Sequence, residues 1–180
     1  MKNNLLLDPV KILYRSNSKV VHDAVLIINN ELVGFGEDAR KQGKKEGLTA
    51  ISAVDHLIAP CLIDPHSVLE DPIKGKNENL ISLKKAALRG GYGQIALLPR
   101  SRSSWRDQPE KLQFICESIT DVKIHAWASF SKEGLGKDLS AHADLLRFGA
   151  IGFADDDFII TPELLKKGLL LNEVGDSPVL

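Results

Sequence analysis

Two rhythms of apolar and polar positions divide this chain. Up to residue 58 the apolar residues come in short runs with strand character. Val20 and Val21, then residues 24–28, are mostly apolar and β-branched. Asn29 and Asn30 carry turn chemistry and residues 31–34 resume the extended pattern, so this stretch predicts a hairpin. Lysines and glycines over residues 41–47 predict an exposed loop, after which residues 50–59 read as extended again. Residues 1–58 are therefore expected to form a small, sandwich-like β unit.

From Pro60 the rhythm becomes strand then helix, repeated. Residues 62–64 predict a short strand. Leu80, Leu83, Ala87 and Leu88 then share one helical face over residues 80–89, and Gly90 with Gly91 supplies the stop. A strand is expected at 94–98, and Asp107 is placed to cap a helix over 109–117. Residues 122–129 predict the next strand, and a helix over 140–148 stops at Gly149. Residues 150–154 make the fourth strand of the series. Thr161, Pro162 and Glu163 then serve as N-cap, first helical position and early acid of a helix running to residue 172. Residues 178–180 read as the start of a further strand. Such alternation demands a parallel sheet with right-handed crossovers, curled toward a (β/α)8 barrel or left open and doubly wound. A complete barrel takes about 250 residues, so residues 59–180 hold roughly half of one. The expected fold class is α/β.

With 180 residues, 43% of them hydrophobic, the chain has the material for a real core, which argues against a disordered segment. Acids and bases are interspersed and sum to a formal charge of −1, so the totals carry no footprint for nucleic acid or an anionic membrane. Arg100, Arg102 and Arg106 cluster locally and read as a solvated loop. Cys61 and Cys116 stand far apart in apolar contexts without C-x-x-C spacing, which predicts buried free thiols in a reducing compartment. The apolar run near the N-terminus is short and broken by Asp8 and Pro9, and no later stretch has the length of a membrane span. A soluble, cytoplasmic protein is expected.

Candidate chemistry gathers in "LIDPHSVLEDP", residues 62–72. In a strand, residues two apart share a face, so Asp64, His66 and Val68 would point the same way. At the C-terminal end of a first barrel strand, where chemistry sits in such folds, an H-x-H pair could hold one divalent ion from one side. Valine at 68 offers no lone pair. His66 by itself reads either as a ligand or as a hydrogen-bonded rim residue.

The order of several motifs carries more. "IAPCLIDPHSVLEDP" resembles the segment P-G-x-x-D-x-H-x-H-x-R-x-P-G of dihydroorotases and related cyclic-amide hydrolases of the amidohydrolase superfamily. "AALRGGYGQIALLPRS", then "DQPEKLQF", then "GAIGFADDD" are similar to later stretches of that family in the same order, so the resemblance covers nearly the whole chain. It implies a small β domain followed by a barrel, a zinc cofactor, and reversible ring closure of N-carbamoyl-aspartate to dihydroorotate in pyrimidine biosynthesis. By the same resemblance His66 aligns with the first metal-binding histidine, and Val68 replaces the second. Glu70 falls where an arginine grips the substrate carboxylate. Arg100 replaces an asparagine that also contacts it. Asp155 aligns with an aspartate that bridges the metals, with Asp156 one step away and Asp157 in place of a glycine. The family's later histidine ligands would fall beyond the final "SPVL".

These departures point to degeneration. A substrate carboxylate about 4 Å from Glu70 would be repelled by roughly 4 kcal/mol at a surface-like dielectric. Hydrolysing an amide at neutral pH needs an ion to polarise the carbonyl and acidify a water, and one histidine plus one aspartate hold an ion poorly. The expectation is a catalytically degenerate chain that acts, if at all, as a non-catalytic scaffold, with zinc by resemblance or with no cofactor at all. Aspartate carbamoyltransferase is one expected partner, and self-association through open sheet edges is another. The alternative is a residual metal-dependent cyclic amidase completed by oligomerisation or a second chain. Glu70 and Arg100, changed to opposite charges, read either as a pair filling the old carboxylate pocket or as two independent solvated charges.

The remaining candidates have plainer readings. His125 sits in an alternating strand with Trp127 and Ser129 on its face, as a packed histidine would. His142 lies on a helix, His22 in the β unit, and His56 precedes the motif segment. The glycines of "RGGYG" and "GLG" match neither phosphate-loop pattern and read as helix-end and turn glycines. "ADDDF", residues 154–158, could hold a cation or form a solvated turn.

Overall fold

The structure is a computed structural model that describes residues 4–14, 19–100, 105–117, 121–155 and 159–180. The chain divides into two compact units, Met1–Pro60 and Cys61–Leu180. Arg102, Asp156 and Asp157 lie outside the described residues.

The first unit is a four-stranded sheet in the order β3-β2-β1-β4, built from β1 (Leu5–Leu13), β2 (Val20–Ile28), β3 (Glu31–Phe35) and β4 (Ala50–Ile58). The β2–β3 hairpin turns on Asn29 and Asn30, both left-handed at φ 55° and 69°, a conformation that asparagine tolerates best after glycine. Of the loop expected over residues 41–47, residues 41–45 are instead the second half of helix α1 (Gly36–Lys45), and Glu46 and Gly47 form the turn that ends it. Ala39 and Gly43, one turn apart, are its buried residues, and Gly43 is a contact glycine: a Cβ there would sit 2.9 Å from Leu6 Cδ2. The lysines that suggested a loop are good helix formers on the solvent side. Arg40 fastens α1 to the sheet, bonding Asp8 at 2.8 Å and Asp23 at 2.9 Å.

The second unit has four β/α units and an all-parallel sheet in the order β5-β6-β7-β8, consistent with a partial (β/α)8 barrel. Its strands are β5 (Leu62–Ser67), β6 (Tyr92–Leu97), β7 (Lys123–Ser129) and β8 (Ala150–Ala154). Its helices are α2 (Leu80–Arg89), α3 (Pro109–Cys116), α4 (His142–Arg147) and α5 (Pro162–Leu170). Strand alternation builds the core: Ile95 and Leu97 of β6, and Ile124, Ala126 and Ala128 of β7, face Leu80, Leu112, Ile115 and Leu145 of the helices. Asn79 caps α2 and closes a capping box with Ser82, while Thr161 caps α5. Asp107 is not the cap of α3. Gln108 takes that position, and Asp107 Oδ2 accepts from the Glu133 amide at 3.0 Å. The start of a further strand is realised as a parallel rung, with Val179 against Phe153.

Cys61 is exposed, contrary to expectation, and Cys116 is half-buried, its thiol pushed up by burial. Cys61 precedes β5, which ends the sheet order and, among the described residues, has no strand on its outer side. Among the described residues, no helix is long and apolar enough to cross a membrane.

Candidate functional site

The C-terminal ends of β5, β6 and β8 border a cavity of about 250 Å³ lined by His66, Leu98, Pro99, Arg100, Ala154, Asp155 and Leu180. Parallel strands bring these residues together because each chain segment leaves its strand on the same rim. His66, Arg100 and Asp155, separated by up to 89 positions in sequence, therefore share one site. Arg106 supports the β6 side, its guanidinium donating to the Pro99 carbonyl at 3.2 Å.

Trp127 of β7 stands beside His66. Its indole N–H donates to the Pro65 carbonyl at 3.0 Å and its ring lies 6.4 Å from that of His66. Gly152 makes this possible, since a Cβ there would come within 2.5 Å of Trp127 Cζ3. Sequence reading missed this role of Trp127. The signal available was a glycine in mid-strand, which marks close approach.

Asp64 does not face the site with His66. The pairing of β5 with β6 shifts register between Asp64 and Ser67, and the carboxylate folds back on its own turn. Its Oδ2 accepts from Ser67 Oγ at 2.6 Å and its Oδ1 from the His66 amide at 3.0 Å. These two donors, the Ser67 hydroxyl foremost, hold the carboxyl below the usual carboxylate range. Val68 is 48% exposed. Glu70 is exposed and lines a cavity with Asp71, Lys74, Gly75, Lys76 and Asn77.

Asp155 is the most constrained member of the site. Its Oδ1 accepts from the Ser131 amide at 3.0 Å and its Oδ2 from Ser131 Oγ at 2.6 Å. Ser131 is fully buried and was not singled out by sequence, where a serine after a strand carries no distinguishing signal.

The other histidines are structural. His125 Nε2 bonds Gln94 Oε1 at 2.9 Å, and burial, helped by Lys123, lowers the pKa of its ring. His142 is fully buried between Phe130 and Phe153, with Nε2 donating to the Phe130 carbonyl at 2.7 Å. His22 and His56 belong to the Met1–Pro60 unit. Gly91, Gly134 and Gly136 all have positive φ and serve as turn glycines.

The zinc implied by family resemblance needs three or four nitrogen, oxygen or sulfur donors. This cavity offers His66 and Asp155, and Asp155 is already doubly hydrogen-bonded. Among the described residues no three His, Cys, Asp or Glu side chains are grouped to hold an ion. The donor set does not fit the metal.

No family profile matches the chain. It is 29% identical over 181 residues to a dihydroorotase of Lactococcus lactis, covering 98% of this chain and 40% of that protein. It is 33% identical over 115 residues to a dihydroorotase of Bacillus pumilus, covering 63% of this chain and 27% of that one. Among solved structures, the L-hydantoinase (dihydropyrimidinase) of Arthrobacter aurescens superposes on 99% of this chain and 40% of its own, at TM-score 0.68 and 12% identity. A dihydroorotase superposes on 97% of this chain and 48% of its own, at TM-score 0.55 and 13% identity. The chain thus spans less than half the length of these relatives.

Proposed function

We propose that this chain, which is similar to dihydroorotases over part of their length, is a catalytically degenerate form of such a hydrolase that serves as a non-catalytic scaffold. One observation carries the reading: among the described residues the rim that should grip an ion presents two donors, His66 and Asp155, and Ser131 already bonds both carboxylate oxygens of Asp155. Two donors leave an ion mostly hydrated and weakly held, so the cavity lacks the means to acidify a water or polarise an amide carbonyl.

The partner we propose is aspartate carbamoyltransferase, whose product is the substrate of the family reaction. The test has two arms. Purified chain given dihydroorotate with and without added zinc is expected to open the ring no faster than buffer, and immobilised chain is expected to retain the carbamoyltransferase. Zinc-dependent turnover abolished by a chelator would remove the degenerate reading. Failure to retain the transferase would remove the scaffold.

A second reading is favoured by the shared cavity itself. His66 and Asp155 still line one cavity, as ligands completed by oligomerisation or a second chain would. That residual cyclic amidase requires a transition metal to co-purify in stoichiometric amount, which the degenerate reading does not.

A further inference from the structure

We propose that Ser131 has taken over the carboxylate of Asp155, which now anchors the loop over residues 132–138 instead of serving as a ligand for a divalent ion. This deepens the non-catalytic reading and rests on it. The Ser131 hydroxyl is used in both directions: its proton goes to Asp155 Oδ2 at 2.6 Å, and its oxygen accepts from the Gly136 amide at 2.7 Å. The Ser131 amide occupies the other carboxylate oxygen. Asp155 therefore reaches the middle of the loop through one buried hydroxyl, in a chain of charge-assisted bonds.

The loop needs such an anchor. Glu133, Gly134 and Gly136 are all left-handed, at φ 53°, 65° and 68°, and for a glutamate that region is unfavourable. The loop closes on itself through Lys132 N–H to the Asp138 carbonyl at 2.8 Å and a bridge between Ser131 and Leu139. Outside holds come from two acids, Asp155 through Ser131 and Asp107 through the Glu133 amide. A carboxylate has about four acceptor sites, and two of those on Asp155 are taken. An ion at the remaining ones would withdraw charge from the bonds to Ser131 and loosen the loop, so ion binding and loop order oppose each other.

Hydrogen exchange read by mass spectrometry on the 180-residue chain tests this. Ser131→Ala and Asp155→Asn are each expected to speed exchange in the peptide covering residues 132–138 by about tenfold. The double variant should do little more than either single one, because both remove the same link. Peptides from α2 and from Met1–Pro60 should keep their wild-type rates, which a general loss of stability would not allow. Zinc chloride should leave the wild-type pattern unchanged. Unchanged loop exchange in both single variants would overturn the anchor. So would a zinc-induced change in the wild type that Asp155→Asn abolishes. Should Ser131→Ala fail to fold, Asp155→Asn and the zinc titration still decide. Ring-opening turnover by a wild type whose loop is anchored as described would sink the non-catalytic reading while leaving the anchor standing.

Discussion

At the scale of the residue, environment decides what a chemically capable side chain does. His125 and His66 are both imidazoles on the sheet, yet only His66 reaches the cavity, while His125 is tied to Gln94. Burial disfavours the charged form of His125, and Lys123 adds like-charge repulsion, so its folded pKa lies below the unfolded value near 6.5. The sign follows from proton counting. Between the two values the unfolded chain binds a proton and the folded one does not, so stability is fully present above about 6.5 and is lost as pH falls through the folded pKa. Denaturant unfolding of the wild type and of His125→Asn, compared on either side of pH 6.5, checks this. The variant should show a smaller loss on acidification, and the imidazole resonances of His125 should titrate below the ordinary histidine value near 6.5.

At the scale of the element, sequence was readable wherever one local signal dominated. The apolar face of Leu80, Leu83, Ala87 and Leu88 specifies a helix, and Thr161-Pro162-Glu163 a helix start, without help from the rest of the fold, and both are realised. The unread parts depend on partners distant in sequence. Residues 41–47 looked like a loop because Gly43 reads as a breaker until Leu6 is known to press against it. Asp107 looked like a cap until the loop near Glu133 claimed its carboxylate. The expected site divides the same way. His66, Arg100 and Asp155 converge because strand ends converge in a parallel sheet, whereas the register shift that turns Asp64 away and the claim of Ser131 on Asp155 exist only in three dimensions. Gly168 in α5 puts two such effects in competition. Alanine there would gain about 1 kcal/mol of helix propensity. Its Cβ, however, would come within 2.5 Å of Cζ of the fully buried Phe130, and overpacking of that kind costs about 1–3 kcal/mol. Packing should win, so Gly168→Ala is expected to lower the unfolding midpoint. A raised midpoint would mean that the ring yields.

At the scale of the whole molecule, both ends of the parallel sheet expose apolar side chains. Leu62 and Ile63 on β5 are 54% and 58% exposed, and Leu169, Leu170 and Leu171 at the end of α5 are 52%, 75% and 54% exposed. The backbone at these ends is less available than the side chains. Pro65 leaves β5 without one donor, and the residues after α5 already bond the outer side of β8, with Phe153 N–H to Pro178 and Leu180 N–H to Phe153, both at 2.9 Å. Hydrogen-bonded edge pairing between copies is therefore blunted, and what remains to drive self-association is apolar burial, worth about 1.5–3 kcal/mol for each leucine fully covered. Association should accordingly be weak and concentration-dependent, and it should yield to charge placed on the leucine patch. In light scattering across a concentration series, Leu170→Glu combined with Leu171→Glu is expected to shift the chain toward monomer, because covering the patch would then require desolvating two carboxylates. Lys111→Glu on α3 serves as a control for added negative charge and should have a much smaller effect. If the double variant associates as strongly as the wild type, the contact lies on another face and the apolar ends of the sheet are not what holds the copies together.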